Sequence, residues 1–173
     1  MPAHGARARW GWYRLADAGA RRLVADARVR RGNLVLDLGA GTGAITGHLV
    51  DAGARVLAFE LHGERADRLE DRFAGDAVTV VRVDVADLRL PAKPFRVVAN
   101  PPFARSSALV RTLVQPGSRL IQADLVLPVQ VATRFQGRLG RSHRGHLVRR
   151  LSPRDFRPAS PVPTAVLRIT RRR

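Results

Sequence analysis

Between residues 34 and 127 short apolar runs alternate with segments of helical character. Leu34–Leu38 (LVLDL) reads as a buried strand, and Ala44–Ala52 as a helix reached through a glycine-rich loop. Arg55–Glu60 (RVLAFE) reads as a second strand, and His62–Phe73 as an amphipathic helix with Leu61, Ala66, Leu69 and Phe73 near one face. Val78–Val83, Phe95–Ala99 and Leu120–Leu127 read as further strands, with Ser107–Leu113 helical. Strands separated by helices join by right-handed crossovers, so the pattern predicts an α/β chain with a mostly parallel, doubly wound sheet. Beyond residue 128 the pattern weakens. Val129–Phe135 reads as a helix, Arg138–Arg150 as a loop rich in Gly, His and Arg, and Ala165–Thr170 as a last strand at the sheet edge. No repeat or linker interrupts the chain, so residues 1–173 are expected to form a single domain.

Charge is the compositional outlier. The formal net charge is +17. Residues 1–31 hold 8 Arg against Asp17 and Asp26, and residues 134–173 hold 12 Arg against Asp155 alone. The stretch between them is neutral, with 10 Arg and Lys93 against 11 acids. A one-sided excess of this size points to a polyanion partner rather than to solubility. Neither end shows a basic amphipathic helix, so an anionic membrane is the weaker fit. Arg rather than Lys favours bidentate phosphate contacts and stacking on bases. Cysteine is absent, which excludes disulfides and Cys-based metal sites and suits a reducing compartment. No apolar run is long enough to span a membrane, and the first residues lack the apolar core of a secretory leader. A cytoplasmic location is expected. His143 and His146 lie three apart without Cys or clustered carboxylates, so they read as solvated loop residues or as residues facing the polyanion, and no metal site is expected.

The first strand–helix corner, VLDLGAGTGAIT, places Gly39, Gly41 and Gly43 between a strand and a helix N-terminus. Glycines there permit a tight turn and close approach of a ligand to the backbone. Glu60 ends the next strand, where a carboxylate can accept ribose hydroxyls, and Asp84 ends the third, within reach of an adenine amino group. Together these residues predict an adenosine-containing cofactor. Gly39-x-Gly41-x-x-Ala44 also fits a loose dinucleotide fingerprint. Asp37, two residues before Gly39, tilts the reading toward S-adenosylmethionine, since an acid at that spacing resembles the first motif of its methyltransferases.

The fourth strand runs into Asn100-Pro101-Pro102-Phe103. Asn-Pro and Pro-Pro break a strand, so a turn is the plain reading. In an open parallel sheet, however, the carboxyl ends of the strands line the ligand crevice. An Asn oxygen and a carbonyl in a stiff Pro-Pro turn can accept both hydrogens of an amino group conjugated to a ring. They would hold that nitrogen in line with a methyl donor and favour its pyramidal form. Phe103 can stack on a base taken out of its helix.

With these residues in place the chain resembles the Erm-type 23S rRNA adenine-N6 methyltransferases, relatives of the small-subunit rRNA adenine dimethyltransferases. The matching stretches are LVLDLGAGTGAIT, VLAFELH, VVRVDVADLRLP, PFRVVANPPF, ADLVL and FRPASPVPTAVLRITRR. They are spread over most of residues 7–172. The resemblance implies a Rossmann-like S-adenosylmethionine-dependent methyltransferase fold. It assigns Gly39, Gly41, Glu60 and Asp84 to the cofactor, and Asn100 and Phe103 to the target adenine; Asp37, Gly43 and Asn100 are further cofactor candidates, and Pro101 a further catalytic one. It also implies methylation of 23S rRNA, naked or in the assembling large subunit, and resistance to macrolides, lincosamides and type B streptogramins.

Two departures stand out. Gly11-Trp12-Tyr13-Arg14-Leu15 occupies the place of a Q-N-F-L-type segment, so Trp12 and Tyr13 replace a polar pair. Trp10 and Trp12 suit core packing, a lid or base stacking alike. The family usually carries a helical RNA-binding domain after the catalytic one, whereas this sequence ends in Arg171-Arg172-Arg173 and is similar to the short mycobacterial member. The basic arm 1–31 and the segment 134–173 are therefore expected to grip RNA. Arg7, Arg9, Trp10, Arg14, Arg138, Arg141, Arg144, Arg171 and Arg172 are the candidates, acting on a monomer. Phosphate contacts of this kind position rather than specify. The competing readings are a small-subunit rRNA enzyme, a DNA adenine or protein-glutamine methyltransferase, and a non-catalytic basic RNA-binding protein.

Overall fold

The computed structural model describes residues 13–172. Arg7, Arg9, Trp10, Trp12 and Arg173 lie outside them. An eight-stranded sheet runs in the order β4-β3-β2-β5-β6-β10-β8-β7. Its parallel part comprises β4 (Val78–Val81), β3 (Arg55–Phe59), β2 (Leu34–Leu38), β5 (Phe95–Ala99) and β6 (Leu120–Pro128). The order reverses between β2 and β5, so their carboxyl ends diverge into a crevice, the place where open α/β sheets take ligands. β10 (Thr164–Arg171) pairs antiparallel with both β6 and β8 (His143–Leu151), and β7 (Gly137–Leu139) closes that side.

Alternating side chains of each strand feed two cores. Val35, Val56, Val98 and Val166 face α1 (Asp17–Ala27), α2 (Ala44–Asp51) and α3 (Gly63–Arg72). Leu36, Leu38, Val97 and Leu125 face α4 (Ser106–Leu113) and α5 (Val129–Arg134). A strand covered on both faces reads as an unbroken apolar run, which is why LVLDL and FRVVA were legible. A small second sheet joins β1 (Arg14–Leu15) to β9 (Phe156–Arg157).

Two expectations are corrected. The stretch 138–150 is not a loop but most of the β7–β8 hairpin. Its sequence lacks an apolar run because Arg138, Arg141, Arg144 and Arg150 face solvent, and its pairing comes from β10 rather than from its own pattern. Gly145 stands within β8, where a Cβ would collide with the Phe135 carbonyl. The strand expected at the sheet edge joins the sheet but lies inside it, since β8 and β7 pair beyond it. His143 is likewise no solvated loop residue: it is 1% exposed and its Nε2 lies 3.2 Å from the Leu120 carbonyl.

Part of the basic C-terminal segment is spent inside the fold. Arg168 Nε donates to Asp124 Oδ1 at 2.7 Å, and its Nη2 donates to the Asp26 carbonyl at 2.7 Å. Arg149 Nε donates to Asp26 Oδ2 at 3.0 Å. Asp124 is 1% exposed, and burial raises its pKa despite Gln122 and Arg168 beside it. The Arg168 guanidinium thus meets a backbone carbonyl in the last turn of α1, where a cation complements the helix dipole, while Arg149 pairs with the Asp26 carboxylate.

Candidate active site

The glycine loop is shaped by the chain around it. Gly39, Gly41 and Gly43 all have positive φ, of 79°, 59° and 90°. A side chain at Gly39 would sit 3.1 Å from Pro102 Cδ, and one at Gly43 would meet the Phe73 ring at 2.7 Å. Close packing thus seats the loop directly on the Asn100-Pro101-Pro102 turn. The loop and the tetrapeptide, far apart in sequence, form one wall.

Glu60 braces this wall. It is 5% exposed, its Oε2 accepts the Gly41 N–H at 2.8 Å, and its Oε1 accepts the His62 N–H at 2.8 Å. Each oxygen keeps a second lone pair, so a ribose hydroxyl can still be accepted. Arg65 Nε lies 3.7 Å from Oε1. Leu61, next in sequence, is 57% exposed, an apolar side chain left uncovered beside the bracing carboxylate.

Asp37 is 1% exposed and sits at the floor. Its Oδ2 accepts the Thr46 hydroxyl at 2.7 Å, whereas Oδ1 has no partner among the described residues. Burial pushes its pKa up to about 7, with the Glu60 carboxylate adding to the rise and the Thr46 bond opposing it. A cavity of about 20 Å³, enough for one water, is lined by Asp37, Gly39, Ala44 and Asn100 among others. An unsatisfied buried acceptor is costly unless a ligand or a water completes it. Together with a cradle that admits no Cβ, it fits a cofactor carrying an amino group close to the loop.

Asn100 is 6% exposed, and its Nδ2 donates to the Tyr13 carbonyl at 2.6 Å. That bond fixes the amide orientation and leaves Oδ1 without a partner among the described residues. Phe103 is half-buried, with its ring centroid 6.0 Å from that of Tyr13. Asp84 is less committed to a ligand than expected. Its Oδ1 caps the Ala86 N–H at 2.8 Å and its Oδ2 lies 3.5 Å from Arg105.

Thr46 escaped the reading of the sequence, and Tyr13 entered it only as part of the segment that replaces a polar pair, with no role toward Asn100. Thr46 had a signal, since a hydroxyl in the first turn after Gly43 faces back over the loop. The Tyr13 side chain gave no signal for its contact, because the residue acts through a backbone carbonyl 87 positions from Asn100. Its place is set from a third direction. Leu15 pairs with Phe156, and the Ala16 N–H donates to the Asp155 carbonyl at 2.7 Å. The late Phe-Arg-Pro segment thereby anchors the strand that orients Asn100.

The arginines expected to hold RNA divide between two poles. Arg14 is exposed at the crevice, with its Nη1 3.3 Å from Thr42 Oγ1. Arg138, Arg141, Arg144, Arg171 and Arg172 lie at the opposite ends of the strands, because Arg171 pairs with His143 while Thr164 pairs with Pro128 and Leu151. Arg171 is also partly engaged, donating to the Ser118 carbonyl at 2.9 Å.

The family model for ribosomal RNA adenine dimethylase matches residues 17–172. The chain belongs to this family. Within it, an rRNA adenine N-6-methyltransferase of Streptomyces fradiae is 33% identical over 88% of this chain and 53% of its own length. The mycinamicin-resistance protein MyrB of Micromonospora griseorubida is 35% identical over 99% of this chain and 58% of its own. The chain thus spans about half the length of the curated relatives it matches. The crystal structure of the 23S rRNA methyltransferase ErmE superposes with a TM-score of 0.81 at 27% identity, over 92% of this chain and 70% of that one. This dimethylase-family chain therefore shares a methyltransferase fold with ErmE. Among its described residues no helix is long and apolar enough to cross a membrane.

Proposed function

We propose that this protein transfers a methyl group to N6 of an adenine in 23S rRNA and thereby confers resistance to macrolide, lincosamide and streptogramin B antibiotics. The observation that carries the reading is the fixed Asn100 amide on the turn that packs against Gly39, with Nδ2 tied to the Tyr13 carbonyl and Oδ1 left without a partner among the described residues. S-adenosylmethionine, when bound, supplies the methyl group. Asp37, the glycine loop and Glu60 would hold it, with Asp84 at the margin. Asn100 Oδ1 accepts one N6 hydrogen, and a carbonyl of the Pro-Pro turn accepts the other. The nitrogen lone pair is then drawn out of conjugation and aimed along one line. As the N–CH3 bond forms the donor's S–CH3 bond breaks to leave a thioether, and N6 then loses one proton to water, so the residues orient rather than act as a base. Phe103 offers a face on which the flipped base stacks. Such a substrate places the protein with ribosomes in the cytoplasm.

The test is transfer of labelled methyl from S-adenosylmethionine to 23S rRNA, with 16S rRNA as the comparison. Label is expected at adenine N6 of 23S rRNA. Asn100→Ala should reduce transfer at least ~100-fold, the scale of a lost oriented acceptor, while cofactor affinity changes little. Label confined to 16S rRNA would instead assign the small-subunit activity. No label on either, with cofactor bound, would refute the enzymatic reading.

A further inference from the structure

The amino ends of the parallel strands, far from the crevice, gather a series of cationic side chains. Arg31 and Arg55 lie side by side there, since the Gly32 N–H bonds the Gly53 carbonyl and the Arg55 N–H bonds the Asn33 carbonyl. A groove of about 310 Å³ follows, lined by Asn33, Arg55, Lys93, Arg96 and the 40%-exposed Ile121 among others. Arg96 Nε in its wall lacks an acceptor among the described residues. Beyond Ile121 the surface continues. Arg171 bonds the Ser118 carbonyl and the Arg172 N–H bonds the Ser142 carbonyl at 2.7 Å, which brings exposed Arg119, Arg141 and Arg172 together. Asp51 and Asp76, exposed acids at this pole, stand on its β3–β4 flank. No carboxylate lines the groove.

We infer that this pole is a second RNA-docking surface, holding a segment of the rRNA substrate other than the one that carries the target adenine. The inference rests on the proposed rRNA activity. Nine-residue β6 separates the two poles by about 25–30 Å at ~3.3 Å per residue. The nucleotides next to a flipped adenine cannot reach that far, so a separate stretch must be engaged. Guanidinium groups in a row suit a phosphate backbone through paired N–H donors. Ile121 and the flanking Pro94 give the groove an apolar floor for sugar and base faces. Contacts of this kind add affinity and salt dependence without touching the chemistry.

The test is the triple variant Arg55→Ser, Lys93→Ser and Arg119→Ser, whose exposed side chains make no hydrogen bond to other described residues. Affinity for full-length 23S rRNA, measured by filter binding across a salt series, should fall at least ~10-fold near physiological salt. The slope of log K against log salt should become shallower by about 2–3. Affinity for a short hairpin holding only the target adenine should not change, nor should kcat on that hairpin. The Arg55→Lys, Arg119→Lys variant, which keeps the charge but loses the paired donors, should keep the parent's salt slope with an affinity between those of the parent and the triple variant. Equal weakening on both RNAs, or none on the long one, would overturn the inference. Loss of binding to anionic vesicles alone would overturn it in favour of a membrane. The binding arm needs no methyl transfer, so absence of label from the unmodified protein refutes the activity and leaves this result separately readable.

Discussion

Replacing Asp37 by Asn should make the unliganded protein more stable, and increasingly so as pH rises. The carboxyl is 1% exposed, has a bond on one oxygen only, and has its pKa pushed up to about 7 by burial beside Glu60. In the unfolded chain it ionises near the ordinary value of 3.8. Between these two values the native state holds a proton that the unfolded state has released. Rising pH therefore favours unfolding, by about 1.4 kcal/mol per pH unit, and the loss levels off above pH 7. Asn keeps an oxygen to accept from Thr46 and cannot ionise. The stability difference between variant and parent should widen by about 2–3 kcal/mol between pH 5 and pH 8. Urea denaturation of both proteins at each pH measures it, and taking the difference cancels the titration of all other groups. S-adenosylmethionine affinity, read by calorimetry, should fall in the variant because the unpaired Oδ1 is replaced by an amide donor. A pH-independent stability difference would refute the claim that Asp37 is held as a strained, raised-pKa acceptor.

Gly39→Ala forces a Cβ 3.1 Å from Pro102 Cδ at a φ of 79°. A loss of about 1–3 kcal/mol of stability is expected by thermal denaturation, with cofactor affinity falling alongside it. Unchanged cofactor binding would separate the loop from the site. Arg168→Met leaves Asp124 buried without its guanidinium and should cost about 3–5 kcal/mol, and adding Asp124→Leu should recover much of it. No recovery in the double variant would show that the arginine acts mainly through the Asp26 carbonyl.

Much of the parallel sheet was legible because both of its faces are covered. Strands such as Phe95–Ala99 need apolar side chains on either side, and the reading recovered them to within a residue or two. The β7–β8 hairpin was not legible, because its side chains include exposed arginines and its order comes from hydrogen bonds to β10. Within the site, Gly39, Glu60 and Asn100 announced themselves by spacing to strand ends. Tyr13 did not, since a backbone carbonyl carries no residue-type signal. The basic ends were visible as a count, but a count cannot separate Arg168, used inside the fold, from Arg141, which faces solvent.

The amino-acid order alone determined the βαβ succession, the positions of the glycine turns and the residue types at the strand ends. Those follow from local sterics and periodicity, which act over a few neighbours. Only the tertiary structure decided which atoms of those residues remain free. Glu60 is drawn into bracing the loop, Asn100 is turned by Tyr13, and Asp37 is left with one unpaired oxygen. It also set the arginines at opposite ends of the strands. Burial and hydrogen-bond saturation depend on contacts between segments distant in sequence, and no window along the chain contains them.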